Sequence, residues 1–355
     1  TNKGTIEYAR VELGGGSVES GGERSAGFVW QNDKEIRFSE TASGTVKSTN
    51  TVSGFAGINS GQGVIQECMV NEKADLSKTT VVYGFAVENA GTISRSSVQP
   101  ELNGQNVYGF AGSNADKGYI VKCTVNSSAV RGELLSCGFA GTNAGEIESA
   151  QVVIRGRVEG QEAYGFLKTN EATGEITGAA VTGTVSEGEE RSAIHGTQSA
   201  AGFAGSNQGT IASGESGTSV DAEVYTEGKR AAGFLFTNEK NGRIEGRAPE
   251  KDTDAVFVGF RGASVRDGQG WGSETAGFVL ENAGLISYAG VEAGQGASSG
   301  ENASGFAGKN AGEISHSYVK ADTVSAHGNA AGFVSENTKE ISKSYAAGEV
   351  QGSKE

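Results

Sequence analysis

The sequence is short of the residues on which several common protein classes depend. Its 355 residues include only three Cys, two Pro, one Met and three His, and aromatic residues make up 7%. So few cysteines give no plan for a disulfide-stapled domain, and so few aromatic side chains predict a thin core. No apolar stretch has the length or flanks of a signal peptide or a membrane-spanning helix. We therefore expect no direct insertion into a membrane.

Basic residues are also in deficit. The chain has 29 Lys and Arg against 43 Asp and Glu, which gives a net charge of −14. A chain of this charge is repelled by nucleic acid and by anionic lipid surfaces, so neither is expected as a partner. The acidic residues are scattered along the sequence, and we interpret them as a solvated surface.

Glycine, by contrast, is abundant at 57 residues, and much of it belongs to a ten-residue pattern that recurs along the chain. The copy at residues 305–314 reads Gly-Phe-Ala-Gly-Lys-Asn-Ala-Gly-Glu-Ile. In every copy Gly precedes the Phe, Asn stands four residues after it, and Ile follows the Asn by four or six residues. The Phe positions are Phe28, Phe55, Phe85, Phe110, Phe139, Phe166, Phe203, Phe234, Phe278, Phe306 and Phe333. The Asn positions are Asn32, Asn59, Asn89, Asn114, Asn143, Asn170, Asn207, Asn238, Asn282, Asn310 and Asn337.

This recurrence predicts the fold. Most copies are 25 to 31 residues apart, and two intervals are longer, at 37 and 44 residues. A period of this size is typical of stacked units that cannot bury their apolar faces alone. Short apolar runs bounded by Gly, Asn and Ser indicate strands rather than helices. We predict an all-β, single-stranded β-solenoid (a parallel β-helix) of about 12 coils, with a triangular section and a right-handed coil.

Each coil is expected to contain three short strands. The first surrounds the Gly-Phe pair, the second surrounds the Ile, and the third begins five residues after the Ile, where Val recurs. This first Val set comprises Val70, Val98, Val125, Val152, Val181, Val291 and Val319. A second Val often follows, as at Val130, Val158, Val185, Val324 and Val350.

The motif residues have predicted structural roles. Phe139 and Ile147 are expected to point inward and to stack on their copies in neighbouring coils. Asn143 is expected at a corner, with left-handed backbone and with side-chain hydrogen bonds along the rod. The Gly two residues before the Ile is expected to take a positive φ. The same roles are assigned to Phe306, Asn310 and Ile314.

A column of small residues accompanies the motif three residues after the Ile, and it predicts a narrow inward corner. Its members are Ala9, Ser39, Cys68, Ser96, Cys123, Ala150, Ala179, Ser317 and Ser344. Cys68 and Cys123 lie in this column two coils apart, a separation of about 10 Å by strand spacing, which is too long for a disulfide. Together with Cys137, they are expected to be buried free thiols.

The repeat argues for one continuous solenoid over residues 1–355, with insertions near 187–199 and 248–275. The chain begins with half a motif at Asn2, so we expect a fragment of a larger protein whose open coil ends permit end-to-end contacts. Within the second insertion, Val258-Gly259-Phe260 lacks the Asn of the motif and is either a degenerate coil or a strand packed on the rod. The same insertion holds a candidate ligand loop, consisting of Asp252, Asp254 and Trp271.

Signs of chemistry are sparse. The zinc-peptidase pattern His-Glu-x-x-His is absent, and His195, His316 and His327 are expected to be surface residues. No column of the solenoid is acidic in several adjacent coils. We therefore expect a chain that is not an enzyme and that has no catalytic, cofactor-binding or metal-binding residues. Three tyrosines two residues before a motif Phe are either core residues or a sugar-stacking stripe; they are Tyr83, Tyr108 and Tyr164.

The motif Gly-Phe-Ala-Gly-x-Asn-x-Gly-x-Ile, found at 138–147, 202–211 and 305–314, resembles the GLUG-motif repeat family over nearly the whole chain. That family occurs in large secreted or wall-anchored bacterial proteins, among them adhesin-like proteins and non-catalytic regions of immunoglobulin A-specific metallopeptidases. The resemblance implies an extracellular stalk or binding module. It assigns no functional residue, because the motif residues are structural.

Three functions remain open at this stage. The first is a structural or adhesive module of a secreted or cell-surface bacterial protein, with a host or cell-surface protein or glycan as partner. The alternative is an accessory solenoid that positions the substrate, such as an antibody, of a secreted metallopeptidase. A carbohydrate-active enzyme is the third hypothesis, and a cluster of catalytic acids would favour it.

Overall fold

The structure is a computed structural model in which every regular element is a strand. It describes residues 1–76, 79–183, 193–248, 258–262, 264–268, 273–294 and 296–352. Three parallel sheets of 11, 12 and 25 strands run the length of the rod. Each motif strand pairs with the same position of the next copy, as Asn114 does with Asn143 and Ile120 with Ile147. The chain is therefore a β-solenoid of eleven complete coils and one half coil, as the motif count predicts.

The first sheet, here the Asn sheet, consists of four-residue strands that begin just after each motif Phe and end at the motif Asn. Its strands are Val29–Asn32, Ala56–Asn59, Ala86–Asn89, Ala111–Asn114, Ala140–Asn143, Leu167–Asn170, Ala204–Asn207, Leu235–Asn238, Val279–Asn282, Ala307–Asn310 and Val334–Asn337.

The second sheet, the Ile sheet, has one short strand per coil around the motif Ile. Its strands are Thr5–Glu7, Glu35–Arg37, Val64–Gln66, Thr92–Ser94, Tyr119–Val121, Glu146–Glu148, Glu175–Thr177, Thr210–Ala212, Arg243–Glu245, Leu285–Ser287, Glu313–Ser315 and Ile341–Ser342.

The third sheet, the Val sheet, is the widest, and its strands are often long or divided. They are Arg10–Glu19, Arg24–Ala26, Glu40–Lys47, Thr51–Ser53, Met69–Val70, Ala74–Asp75, Thr79–Tyr83, Ser97–Val98, Leu102–Tyr108, Thr124–Cys137, Gln151–Tyr164, Ala180–Gly183, Ala193–Ala201, Thr218–Asp221, Glu223–Thr226, Arg230–Ala232, Val258–Phe260, Ser264–Arg266, Glu274–Ala276, Ala289–Ala293, Gly296–Ser299, Asn302–Ser304, Tyr318–Ala326, Asn329–Ala331 and Tyr345–Gly352. The described chain has no helix long and apolar enough to cross a lipid bilayer.

A column of phenylalanine rings forms the centre of the core. The motif Phe rings stack face to face from Phe28 to Phe333, with centroids 4.5–4.9 Å apart. The rings between the terminal coils are fully buried. Because parallel in-register strands repeat every 4.7–4.9 Å, identical rotamers place one ring directly on the next. Burial of each ring contributes about 1.5–3 kcal/mol.

A column of asparagine side chains runs beside the rings at the corner between the Asn and Ile sheets. Each amide nitrogen donates to the amide oxygen of the next Asn at 2.8–2.9 Å, in one direction from Asn2 to Asn337. In several coils, including the four successive ones from Asn32 to Asn114, the nitrogen also donates to a carbonyl of its own corner, as Asn59 does to Gly63 at 3.1 Å. The predicted ladder is confirmed, and its members between the two ends are buried.

Two expectations about backbone conformation are wrong. Neither the motif Asn nor the Gly before the Ile has a positive φ. The left-handed corner lies two residues after the Ile instead, where it is held by residues as different as Glu67, Lys122 and Ser149, with φ of 53–54°. The motif Gly is needed for space: a Cβ on Gly145 would lie 2.2 Å from the carbonyl oxygen of Gly118 in the preceding coil.

The predicted Val column is buried, and an outlier in sequence completes it. Val220, Phe260 and Val291 occupy successive places in the column. Phe260 therefore belongs to the same coil as Ile244: it is neither a degenerate coil nor a strand packed outside the rod. In the first insertion, residues 193–199 form part of the strand Ala193–Ala201, and residues 187–192 lie outside the described residues.

Of the three tyrosines, Tyr164 lies in a second apolar cluster, Tyr108 packs against that cluster, and Tyr83 stacks on Tyr108 with ring centroids 5.1 Å apart. This cluster occupies the outer side of the corner between the Val and Asn sheets and includes Tyr164 and Phe236. In this cluster a large residue in one coil packs against a small residue in the next. The Tyr108 ring packs on Gly141, and the Phe236 ring occupies the space that Ala201 leaves. The core alternative fits Tyr164, which is buried, although its cluster is separate from the main core and the rings of Tyr108 and Tyr164 pack on motif glycines.

Asn143→Asp should destabilise the rod because a carboxylate cannot donate to Asn170 and would be buried beside its oxygen. We expect a loss of about 2 kcal/mol or more at pH 7, measured by urea unfolding. The loss should shrink at acidic pH, where a protonated carboxyl donates. Asn337→Asp is the control, because Asn337 is exposed and accepts from Asn310. Equal losses in both variants would contradict the directed ladder.

Gly145→Ala should destabilise the rod because the new Cβ meets backbone oxygens of Gly118 and Ala115 at 2.2 and 2.3 Å. Backbone atoms cannot move aside without opening the spacing of the coils, and we expect a cost of about 1–3 kcal/mol. Gly4→Ala is the matched control, since nothing lies within 4 Å of its Cβ position. Thermal melts followed by circular dichroism measure both, and an unchanged melt of the first variant would refute the close-approach explanation.

Candidate functional site

The motif residues do not form a site. Phe139, Asn143 and Ile147 are fully buried in their columns, as are their equivalents in the copy at 305–314. The candidate ligand loop of Asp252, Asp254 and Trp271 lies outside the described residues. A site within the described chain must therefore be sought on its outer faces.

A polar groove runs along the outer face of the Val sheet. It encloses about 900 Å³ and crosses six successive coils. Six of its residues are Thr, Asn or Gln, three are Gly, and three are charged. The residues of the groove are Thr49, Thr80, Asn103, Gly104, Gln105, Arg131, Gly132, Glu133, Glu159, Gly160, Gln161 and Thr197.

The concave shape of the groove follows from a bend in the Val sheet. Strand register shifts between Gly104 and Asn106 and between Gly160 and Glu162, as β-bulges do. At Gly132 an added Cβ would lie 2.1 Å from the carbonyl oxygen of Leu135, so only glycine permits so tight a bend there. The glycines of successive coils align and give the groove its floor.

The charged groups in the middle of the groove are paired. The guanidinium of Arg131 contacts the carboxylate of Glu101 at 2.5 Å and that of Glu159 at 3.7 Å. Asn103 also donates to Glu101, at 3.4 Å. Exposed ion pairs of this kind add little stability, but they give the guanidinium carboxylate partners within the protein.

A smaller pocket, here the imidazole pocket, adjoins the groove. It has a volume of about 460 Å³, and its residues are Arg157, Ala193, His195, Glu223, Tyr225, Glu227 and Arg266. His195 stacks on Tyr225 with ring centroids 5.2 Å apart, and Arg266 lies 5.0 Å from the centre of the Tyr225 ring. Arg266 also contacts Glu223 at 2.6 Å. Strand register places His195 beside Glu159, so the groove and the pocket meet at these two residues.

His195 is buried, contrary to the expectation of a surface histidine; only 7% of the residue is exposed. Neither ring nitrogen makes a hydrogen bond, although carboxylate oxygens of Glu159 and Glu227 lie 3.4 and 3.5 Å away. A neutral imidazole has one donor and one acceptor nitrogen. An imidazole with protons on both nitrogens has two donors, one for each of these carboxylates. Of the other histidines, His316 is half-buried against Tyr288, and His327 is exposed.

Sequence analysis missed the groove, although the sequence contains a signal for it. Gly132, Gly160 and Gly196 each stand two residues after a buried apolar residue of the second Val column. This apolar-x-Gly pattern marks the bend in these three coils.

The three cysteines are the remaining candidate nucleophiles. All are buried free thiols, as expected. Burial raises the pKa of Cys68 to about 11 and that of Cys123 to about 12, and it raises the pKa of Cys137 further. Because the thiolate is the reactive species, these side chains are inert at neutral pH.

Within the described residues, no group of three or more His, Cys, Asp or Glu side chains is placed to hold a metal ion. Comparison of the chain with protein-family models, with curated proteins and with solved structures finds no match.

The native protein should resist thiol reagents at pH 8. The raised pKa values leave very little thiolate, and the side chains of all three cysteines are covered. Titration with an aromatic disulfide reagent should detect almost no thiol in the native protein and three in denaturant. Rapid reaction of one native thiol would show that a coil opens around that cysteine.

Proposed function

We propose that this chain is a non-catalytic structural and adhesive stalk of a secreted or cell-surface bacterial protein. The observation that carries the proposal is the unbroken ladder of Asn side chains, hydrogen-bonded from Asn2 to Asn337 through every coil. Such a ladder ties each coil to the next along the axis. A rod built in this way keeps its length and presents its outer faces at fixed spacing. The likeness to the GLUG-motif repeats supports the same proposal.

The outer face of the Val sheet supplies the adhesive part. Its groove crosses six coils and is lined by Thr, Asn and Gln side chains, which can both donate and accept hydrogen bonds. The proposed partner is a host or cell-surface protein or glycan. Neither nucleic acid nor a lipid surface suits a chain with a net charge of −14.

Adhesion is tested with beads that carry the chain. The beads are passed in flow over epithelial surface glycoproteins, over matrix proteins and over immunoglobulin A, with albumin-coated beads as the control. Retention on glycoproteins or matrix is the expected result. The supernatant is monitored for cleaved peptide or glycan.

Each of the other results contradicts a defined part of the proposal. Retention on immunoglobulin A alone would favour an accessory solenoid that positions the substrate of a metallopeptidase. Release of cleaved glycan or peptide would refute the non-catalytic assignment. Absence of retention on all three surfaces would refute the adhesive role.

A further inference from the structure

The groove is suited to an elongated ligand that lies along the rod. Its side chains come from successive coils, and each coil's contribution is here called a rung. Three rungs are provided by Thr80, Asn103 and Gln161. Six coils at the spacing of parallel strands give a groove about 24 Å long. Because each coil contributes a polar side chain at this spacing, a polymer with repeating polar groups can contact several rungs at once.

The chemistry of the groove favours hydroxyl groups. Thr, Asn and Gln side chains both donate and accept hydrogen bonds and carry no charge. A sugar hydroxyl has the same dual capacity. An extended peptide, in contrast, gains its specificity from pockets for alternate side chains, and no apolar side chain other than the stem of a charged residue lines this groove.

The charges around the groove disfavour polyanions. Arg131 is engaged by Glu101 and Glu159, and Glu133 adds a further carboxylate at the rim. The whole chain has a net charge of −14. Acidic glycans and nucleic acid would meet a repulsive field here.

The imidazole pocket lies beside the groove, but its histidine is covered. His195 is nine-tenths buried, and neither ring nitrogen is accessible to solvent. The separations of 3.4 and 3.5 Å from the nitrogens to the carboxylates of Glu159 and Glu227 leave no room for a ligand oxygen between them. The ligand is therefore expected in the groove alone.

We propose that the groove binds an extended, uncharged glycan along the rod axis. The proposal rests on the adhesive function and specifies its ligand. Contact with several rungs makes the affinity depend on chain length.

The test measures binding of linear neutral oligosaccharides of increasing length to the whole chain by titration calorimetry. Uronic-acid oligosaccharides of equal length and an extended peptide library are the competing probes. Affinity for at least one neutral series should rise with length and level off once the ligand spans about 24 Å. Tighter binding of the uronic acids or of a peptide would overturn the proposal, as would the absence of binding to every neutral series.

Gln161→Ala removes one rung and should weaken the neutral ligand roughly three- to tenfold, the value of one or two hydrogen bonds. Gln66→Ala, on the outer face of the Ile sheet, is the matched control and should bind as the parent does. Melting temperatures confirm that both variants are folded. Equal binding by both would place the ligand outside the groove.

Bead adhesion of the Gln161→Ala protein separates this proposal from the adhesive function. Full adhesion together with no binding of neutral glycans would refute the groove as the site and leave the stalk's adhesive role standing. Absence of adhesion by the parent chain would refute the function itself.

Discussion

The hydrogen bond between one Asn amide and the next is the interaction on which the whole rod depends. An amide both donates and accepts, so it can be buried at the same place in every coil and remain paired from Asn2 to Asn337. A carboxylate accepts only. The amide contact of 2.8–2.9 Å and the ring separation of 4.5–4.9 Å arise from the same coil spacing, so polar and apolar columns reinforce one another.

Close stacking also explains the abundance of glycine. The Gly two residues before the Ile has no room for a side chain because a carbonyl of the preceding coil lies against it; at Gly145 this is the carbonyl of Gly118. The Gly two residues after the motif Phe is needed only where a large side chain of the preceding coil packs on it. Gly141 makes room for the Tyr108 ring, whereas Phe236 occupies the same position above the small residue Ala201. The motif thus contains two kinds of glycine: one is required by a backbone carbonyl of the preceding coil, and the other by a large side chain of that coil.

The sequence predicts those features of the structure whose contacts repeat in every coil. Phe, Asn and Ile are identical in each coil, so their spacing predicts the fold, the buried columns and the Asn ladder. The sequence-based prediction put the left-handed corner at the wrong residue, because dissimilar residues such as Glu67 and Lys122 occupy it. The role of the motif Gly was misassigned because its clash is with another coil, which a single repeat does not reveal. The groove escaped notice because its outward side chains differ from coil to coil.

The division between constant and variable positions has a functional consequence. The spacing from Phe to Asn never changes, and that from Asn to Ile takes only two values, whereas the distance from Ile to the next Phe varies freely. Almost all of this variation falls in or beside the Val sheet. A coil can therefore change its outer residues there without disturbing the Asn or Phe columns. The groove and His195 lie on this sheet, where a binding surface can change while the rod that carries it stays the same.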